Sequence, residues 1–277
     1  MTKIETELQG SLQLRYGAAT PEIQGEANPV LARILAHKSV RRFAPAPLPP
    51  SALEKIVAGA QSAATSSNLQ TWSVIAIQEP SHKDAVATLC GNQEFIRRAP
   101  LFLVFCADLA RLSAVSEREG LAGEGLDYFE MFIMATVDAS LAAQNAALTA
   151  ESLGLGICYV GAARNHSREL ATALNLPPKA FALFGMAIGV PAEGDTSAVK
   201  PRLPQAEALH LETYGADAQE ENVAEYNAIM KEFYESQNMK VGGDWSLHSA
   251  QRVQNVQALT GREVLREVLI ERGFGLK

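Results

Sequence analysis

Residues 126–164 read LDYFEMFIMATVDASLAAQNAALTAESLGLGICYVGAAR, and the reading of this stretch decides the fold. From Leu126 to Leu153 nearly every position is apolar or small, and the polar Asp138, Gln144, Asn145 and Glu151 are scattered instead of gathered into one stripe. That pattern predicts a long helix buried on several sides. Gly154 and Gly156 follow, and glycine tolerates the left-handed backbone that ends helices. The chain is therefore expected to turn at Gly154 and return as a short interior strand through Ile157, Cys158, Tyr159 and Val160. Charged residues along the helix argue against a membrane span, which needs about 20 predominantly apolar residues. A central helix of a core or of a subunit interface fits better.

On the N-terminal side, residues 1–27 are polar and weakly patterned, as in an arm. Asn28-Pro29 reads as an N-cap followed by a first-turn proline, opening a helix through Val30, Leu31, Ile34 and Leu35. A basic knot follows, His37-Lys38-Ser39-Val40-Arg41-Arg42, and then four prolines that favour extended backbone. Ser51-x-x-Glu54 has the form of a capping box for the next helix. That helix delivers a loop rich in hydroxyls and amides, Thr65-Ser66-Ser67-Asn68-Leu69-Gln70, ahead of a strand from Trp72 to Ile77. A helix near Ser81 and a short one from Asn92 to Arg97 are expected next. The run Leu101–Ala107, LFLVFCA, has the continuous apolar character of a strand buried on both faces.

Beyond the central helix, Asn165 is placed to cap a helix through Leu170 and Leu174, and Phe181–Val190 reads as another interior strand. Lys200-Pro201-Arg202-Leu203-Pro204 lies in a loop. Val223, Tyr226, Ile229, Met230 and Phe233 mark an amphipathic helix, and Thr260-x-x-Glu263 is a second capping-box pattern before a last one. Strands interleaved with helices give a layered α+β or α/β domain.

Composition bounds the partners. The chain has 277 residues, 47% hydrophobic and 20% charged, enough to bury a substantial core. A formal charge of −7 disfavours the basic surface that nucleic acid requires, although a local cluster such as Lys38, Arg41 and Arg42 suits a small anion. The 3 cysteines have neither disulfide-framework nor zinc spacing. The first residues lack the apolar segment of a signal peptide, which points to the cytoplasm. With no linker, charge run or repeat, the chain reads as one domain, 1–277. Its parts are an arm (1–27), a core (28–204) and a helical extension (205–277) able to wrap a partner subunit.

Several chemistries lack their signature. Gly154-x-Gly156 follows a helix and has no third glycine, whereas the dinucleotide fingerprint follows a strand and opens a helix. No G-x-S-x-G, Walker loop or H-E-x-x-H occurs, and the histidines show no metal-ligand spacing, so no metal site is expected.

Five separated segments instead carry a likeness, in colinear order from His37 to Pro204. They are His37-Lys-Ser-Val-Arg41, the Ser66-Ser67 loop, Gln93, the run Glu151 to Gly161, and Lys200-Pro-Arg202-Leu-Pro. Together they resemble the nitroreductase family, within it the oxygen-insensitive NADPH nitroreductase A and flavin reductase group. The resemblance implies an α+β, FMN-binding fold with a central mixed sheet flanked by helices. It also implies a homodimer with FMN at the subunit interface and the long helix in the dimer core.

By the same resemblance, His37, Lys38, Ser39, Arg41, Ser66, Ser67, Gln93, Tyr159, Val160, Gly161, Ala162, Lys200 and Arg202 bind FMN. Arg164 and Lys240 are the expected contacts of NADPH. The residue chemistry agrees. A phosphate monoester favours charge-assisted bonds from Lys38, Ser39, Arg41 and Arg202, and small residues at Gly161 and Ala162 let backbone N–H groups approach a ring. Read alone, Arg41 and Arg42 are solvated charges, Ser66 and Ser67 a turn, Gln93 a helix cap and Tyr159 a core aromatic.

The activity implied is two-electron transfer from NADPH or NADH to nitroaromatics, quinones or free flavins by a ping-pong cycle. No side chain is obligatory as a catalytic acid or base, since positive charge near the flavin does the protein's part. Two other readings stand beside it: a dedicated flavin reductase supplying a partner, and a flavin-binding sensor or carrier without turnover. The partners are then small molecules and a second copy of the chain, with neither nucleic acid nor membrane involved.

Overall fold

The computed structural model describes residues 3–23 and 28–277, so residues 1, 2 and 24–27 of the expected arm lie outside the described residues. Two compact units result. One comprises Met1–Ser39 and Thr196–Leu259, the other Val40–Asp195 and Thr260–Lys277.

The larger unit carries the sheet, but the first unit supplies the first elements in chain order. Lys3–Tyr16 forms helix α1, so most of the weakly patterned arm is helical, with Leu8, Leu12 and Arg15 buried. Pro29–Leu35 forms α2, and the Asn28 side chain accepts from the Leu31 N–H at 2.9 Å, the expected cap. The second unit then builds α3 (Ala52–Gln61), β1 (Trp72–Ile77), α4 (Pro80–Leu89), α5 (Glu94–Arg98), β2 (Leu101–Asp108) and α6 (Ala110–Arg118). It continues with α7 (Phe129–Ser152), β3 (Gly156–Val160), α8 (Ser167–Ala173) and β4 (Ala180–Gly189). The first unit resumes with α9 (Gln205–Ala208), α10 (Gln219–Ser236) and α11 (Trp245–Val253), and α12 (Leu265–Glu271) returns to the second.

The central helix is present and ends where glycine permits. Gly154 has φ +78°, its N–H bonds Glu151 and that of Leu155 bonds Ala150, the paired 5→2 and 6→1 bonds of a Schellman closure. Seven alanines of α7 are buried, and their small side chains allow a close approach to the sheet and to α3. A Cβ added at Gly59 of α3 would lie 2.1 Å from Thr149 Oγ1, and Asn145 donates to the Gly59 carbonyl at 3.2 Å. By length and composition α7 qualifies as a membrane span, but this packing identifies it as a core helix.

The sheet order is β1-β2-β4-β3, and every pairing is antiparallel, where a mixed sheet was expected. The apolar run of β2 reports burial on both faces, not strand direction. Leu101, Leu103 and Phe105 join the cluster beneath α7, while Phe102, Val104 and Cys106 join the cluster under α4, α5 and α8. Strand β4 is interior as expected. Strand β3 is not: it lies at the sheet edge, and its burial comes from the following cover, with the Val40 N–H on the Ile157 carbonyl at 2.8 Å.

Three expected caps fail for a shared reason. An N-cap residue needs extended backbone to aim its side chain at the first turn, but Ser51 and Thr260 have φ +56° and +55° and precede helices that lack their side-chain bonds. Asn165 is helical and its Oδ1 accepts from Arg262 Nε at 2.9 Å, leaving α8 to start after His166.

One charge of α7 is nearly fully buried. Asp138, 1% exposed, accepts from the Ser66 N–H (3.0 Å), the Thr71 N–H (3.1 Å) and the Thr71 hydroxyl (2.9 Å). It thereby holds both ends of a loop in which Ser67, Asn68 and Gln70 all have positive φ. Replacing Asp138 with Ala strands three donors and is expected to cost about 3 kcal/mol. Urea unfolding checks this, and a loss below about 0.5 kcal/mol, the scale of a surface substitution, would show that the loop is held by other means.

Candidate functional site

The sequence-predicted residues fall into sets, which are described by unit. In the first unit, the basic knot and the Lys200–Pro204 loop meet. Lys38 Nζ donates to the Ser197 carbonyl at 2.9 Å, and the Arg15 guanidinium bonds the carbonyls of both His37 (3.0 Å) and Lys200 (2.8 Å). His37, Lys38 and Ser39 are half-buried, whereas Lys200 and Arg202 are exposed. Arg202 Nη1 turns back onto the Lys200 and Pro201 carbonyls, both at 3.2 Å. Three cationic groups and one hydroxyl are thus presented on short, bonded segments, a donor set suited to a phosphate monoester.

In the second unit, the turn after β3 is the meeting point. Gly161 and Ala162 open a short 3-10 turn, Gly161–Arg164, following the half-buried Tyr159 and the buried Val160. A Cβ at Gly91 would lie 3.4 Å from that of Ala162 and 3.7 Å from Gln93 Nε2, so the 91–93 loop abuts the turn. Gln93 does not cap α5: its Nε2 donates to the Cys90 carbonyl at 2.8 Å. Arg41 lies over the Phe95 ring, 6.0 Å from its centre, while Arg42 bonds the Gly194 carbonyl at 3.2 Å.

Two guanidinium groups flank Gly161. A Cβ there would be 3.6 Å from Arg164 Nη2 and 3.9 Å from Arg262 Nη2. Arg164 also bonds the Leu183 carbonyl, and burial pushes its pKa down from the usual arginine value. Sequence reading missed Arg262. It sits far along the chain, and only Gly261, whose φ of +85° brings its backbone against the Asn165 carbonyl, hints at the close approach.

Tyr159 packs edge-on against Phe184 at 5.7 Å and points its hydroxyl at Gln144 Oε1, 3.5 Å away. Burial, then the Glu151 charge, push its pKa well above the usual phenol value, so it remains a neutral donor. Burial likewise pushes the Cys90 and Cys106 thiols up to about 12, which removes them as thiolate nucleophiles. Among the described residues no group of three His, Cys, Asp or Glu side chains is placed to hold a metal ion.

Ser66 and Ser67 are exposed and are held against α7, not beside the Gly161 turn. Their loop feeds β1 at one edge of the sheet, while Gly161 leaves β3 at the other, roughly 14 Å across three inter-strand spacings. A cavity of about 410 Å³ opens beside the loop, lined by Thr65, Gln70, Trp72 and Arg111 among others. Lys240 is exposed in the segment between α10 and α11.

Comparison with known proteins shows the family of the chain. Residues 34–190 match the model of the nitroreductase family, and residues 200–277 match that of the nitroreductase family C-terminal domain. The chain is 36% identical over 251 residues to an FMN reductase (NADPH) of Bacillus subtilis, covering 89% of this chain and 98% of that one. The structure of the NfrA1 nitroreductase of Bacillus subtilis superposes with a TM-score of 0.83 at 34% identity, covering 90% of this chain and all of that one. The NADPH:FMN oxidoreductase of Vibrio harveyi, solved with NAD+, superposes with a TM-score of 0.80 at 28% identity and similar coverage, 90% and 100%. With a family model spanning more than half of its length and a relative matched almost end to end, the chain belongs to the nitroreductase family.

Proposed function

We propose that the protein is an FMN-dependent oxidoreductase that passes two electrons from NADPH or NADH to nitroaromatics, quinones or free flavins in a ping-pong cycle. The observation that carries this is the Gly161–Ala162 turn, a backbone with little side-chain bulk, abutted by the loop that carries Gln93 and flanked by two guanidinium groups. Such a surface accepts a flat polar ring and favours added negative charge on it. FMN, when bound, supplies the hydride chemistry, and the protein supplies position and field.

The phosphate is assigned to His37, Lys38, Ser39, Arg41, Lys200 and Arg202, and the ring to Gln93 and the segment Tyr159, Val160, Gly161 and Ala162. Ser66 and Ser67 serve a ring as well. The purified protein is expected to be yellow and to oxidise NADPH with a nitroaromatic or quinone. Protein supplemented with FMN that neither retains flavin nor oxidises pyridine nucleotide defeats the reading. Turnover on free FMN that far exceeds turnover on nitro compounds would favour the dedicated flavin reductase, whereas bound FMN that NADPH fails to reduce would indicate a carrier.

A homodimer completes the site. Phe129, Ile133, Val137 and Leu141 recur every four residues along α7 and are all between 43% and 49% exposed, an apolar stripe on a helix whose opposite face is core. A second copy related by a two-fold axis covers this stripe and brings its Ser66-Ser67 loop to the ring held by the first. Locating these two groups at opposite sheet edges is what favours two chains per site. The protein is assigned to the cytoplasm. Light scattering is expected to give a dimer, and Val137→Glu to give a monomer that loses FMN; a wild-type monomer with FMN tightly bound would overturn the arrangement.

For the nicotinamide nucleotide, Arg164 and Lys240 are assigned to the 2′-phosphate. One lysine and a carbonyl-bonded arginine offer fewer cationic contacts than an arginine-rich loop, so NADPH is accepted with a weaker preference over NADH than in NADPH-preferring members of the family. Removing one charge-assisted bond costs about 1.5 to 3 kcal/mol, so Lys240→Ala or Arg164→Ala should lower the NADPH/NADH ratio of kcat/KM about tenfold or more. Strong rejection of NADH by the wild type, unchanged in both variants, places the phosphate pocket elsewhere.

A further inference from the structure

The N-terminal helix contains a buried arginine that the functional reading leaves unused. Arg15, in the last turn of α1, is 6% exposed. Its Nη1 donates to the Lys200 carbonyl at 2.8 Å, and its Nη2 donates to the carbonyls of Leu35 at 2.7 Å and His37 at 3.0 Å. Its own carbonyl accepts from the Arg202 N–H at 2.8 Å. One residue therefore ties together two segments that are more than 160 positions apart in the chain and carry His37, Lys38, Ser39, Lys200 and Arg202.

Each bond has a local reason. Leu35 is the last residue of α2, so its carbonyl lacks an intrahelical partner and is a natural acceptor for a cation. The Lys200–Pro204 loop has no regular structure and two prolines, so few backbone bonds fix it otherwise. A planar guanidinium reaches acceptors in two directions at once, which an ammonium on a flexible stem does not. The helix that carries it is anchored by buried Leu8 and Leu12. It is followed by Gly17, whose φ is +58° and where a Cβ would come within 3.0 Å of Ile229 of α10. This helix lies ahead of residue 34, where the match to the family begins.

We infer that Arg15 is a positioning residue for phosphate recognition: by bonding the carbonyls of His37 and Lys200 it holds the two cationic segments at the spacing a phosphate monoester requires. The inference rests on the FMN reading above. Through these carbonyl bonds the guanidinium shapes the phosphate site by fixing the backbone that carries its cations.

The test separates phosphate from ring. Bound flavin is removed from the full-length protein, and rebinding of FMN and of riboflavin, which lacks the phosphate, is titrated for wild type, R15M and R15K. For R15M the FMN Kd is expected to rise about tenfold or more, while the riboflavin Kd moves less than about twofold. R15K, which keeps the charge but not the fork, should weaken FMN about threefold. An FMN Kd for R15M within about twofold of wild type, or FMN and riboflavin weakened equally, overturns the inference, the latter because a general loosening of the fold affects both ligands. If circular dichroism shows R15M unfolded, R15K decides by the same criterion, selective loss of FMN supporting the inference and no loss or equal loss overturning it. A wild type that binds neither flavin fails the FMN reading itself. A wild type that prefers FMN, with R15K and R15M unchanged, fails only the role of Arg15.

Discussion

The sheet-bearing unit depends on how closely α7 approaches the strands and α3. Buried alanines on one face of the helix bring its backbone near the apolar face of β2, and Gly59 leaves room where α3 crosses Thr149. Larger side chains would hold the helix away and open voids, which interiors packed at crystal density do not tolerate cheaply. This close packing is also what makes a buried carboxylate workable. Asp138 emerges from a helix face with no access to water, and its buried oxygens are satisfied because three donors of one loop converge on them. Helix, sheet and loop are thus coupled through a single contact region, and a loop with three residues at positive φ is held in a conformation it would not adopt alone.

What was legible in the sequence follows from which forces leave a periodic trace. β2 read correctly because burial on both faces leaves a continuous apolar run, and the end of α7 read correctly because a left-handed closure selects glycine. Strand direction left no such trace: LFLVFCA is equally consistent with parallel or antiparallel neighbours, and its pairing with β1 and β4 is settled by residues distant in the chain. The capping boxes at Ser51 and Thr260 misled because the pattern records residue type and not backbone angle. Asp138 looked like one of several scattered polar residues, and its partners 67 and 72 positions away could not be read from it. Helix α1 left no apolar stripe to read, and one of the three buried positions among its described side chains is an arginine.

The site residues divide along the same line. Lys38, Lys200, Arg202 and Gln93 are assigned because several short segments occur in a set order, not because any one of them has a distinctive spacing. Arg262 and Arg15 belong to no such segment. Both are arginines that act at long range, one through Asn165 beside the Gly161 turn and the other through three backbone carbonyls. Arginine at a distance is the part of a cationic site that sequence conceals best, since its planar fork is selected by acceptors that only the fold assembles.

These carbonyl bonds bear on how the site works. A cation that must be ordered when its ligand arrives loses side-chain entropy at that moment, about 0.5–1.5 kcal/mol for each long side chain. Here Lys38 already bonds Ser197, Arg202 bonds the carbonyls beside it, and Arg164 bonds Leu183. That ordering is done in the folded state, where neutral carbonyls help to fix the position of each charge. An acidic partner would hold the same side chains as firmly but would neutralise the field that a phosphate or an electron-rich ring requires. Among the described residues of the second unit, ion pairs engage Arg97, Arg98, Arg111, Arg168, Lys179 and Lys277, none of which is assigned to the flavin. Neutral carbonyls thus contribute to ordering Lys38, Arg164 and Arg202 before a ligand arrives.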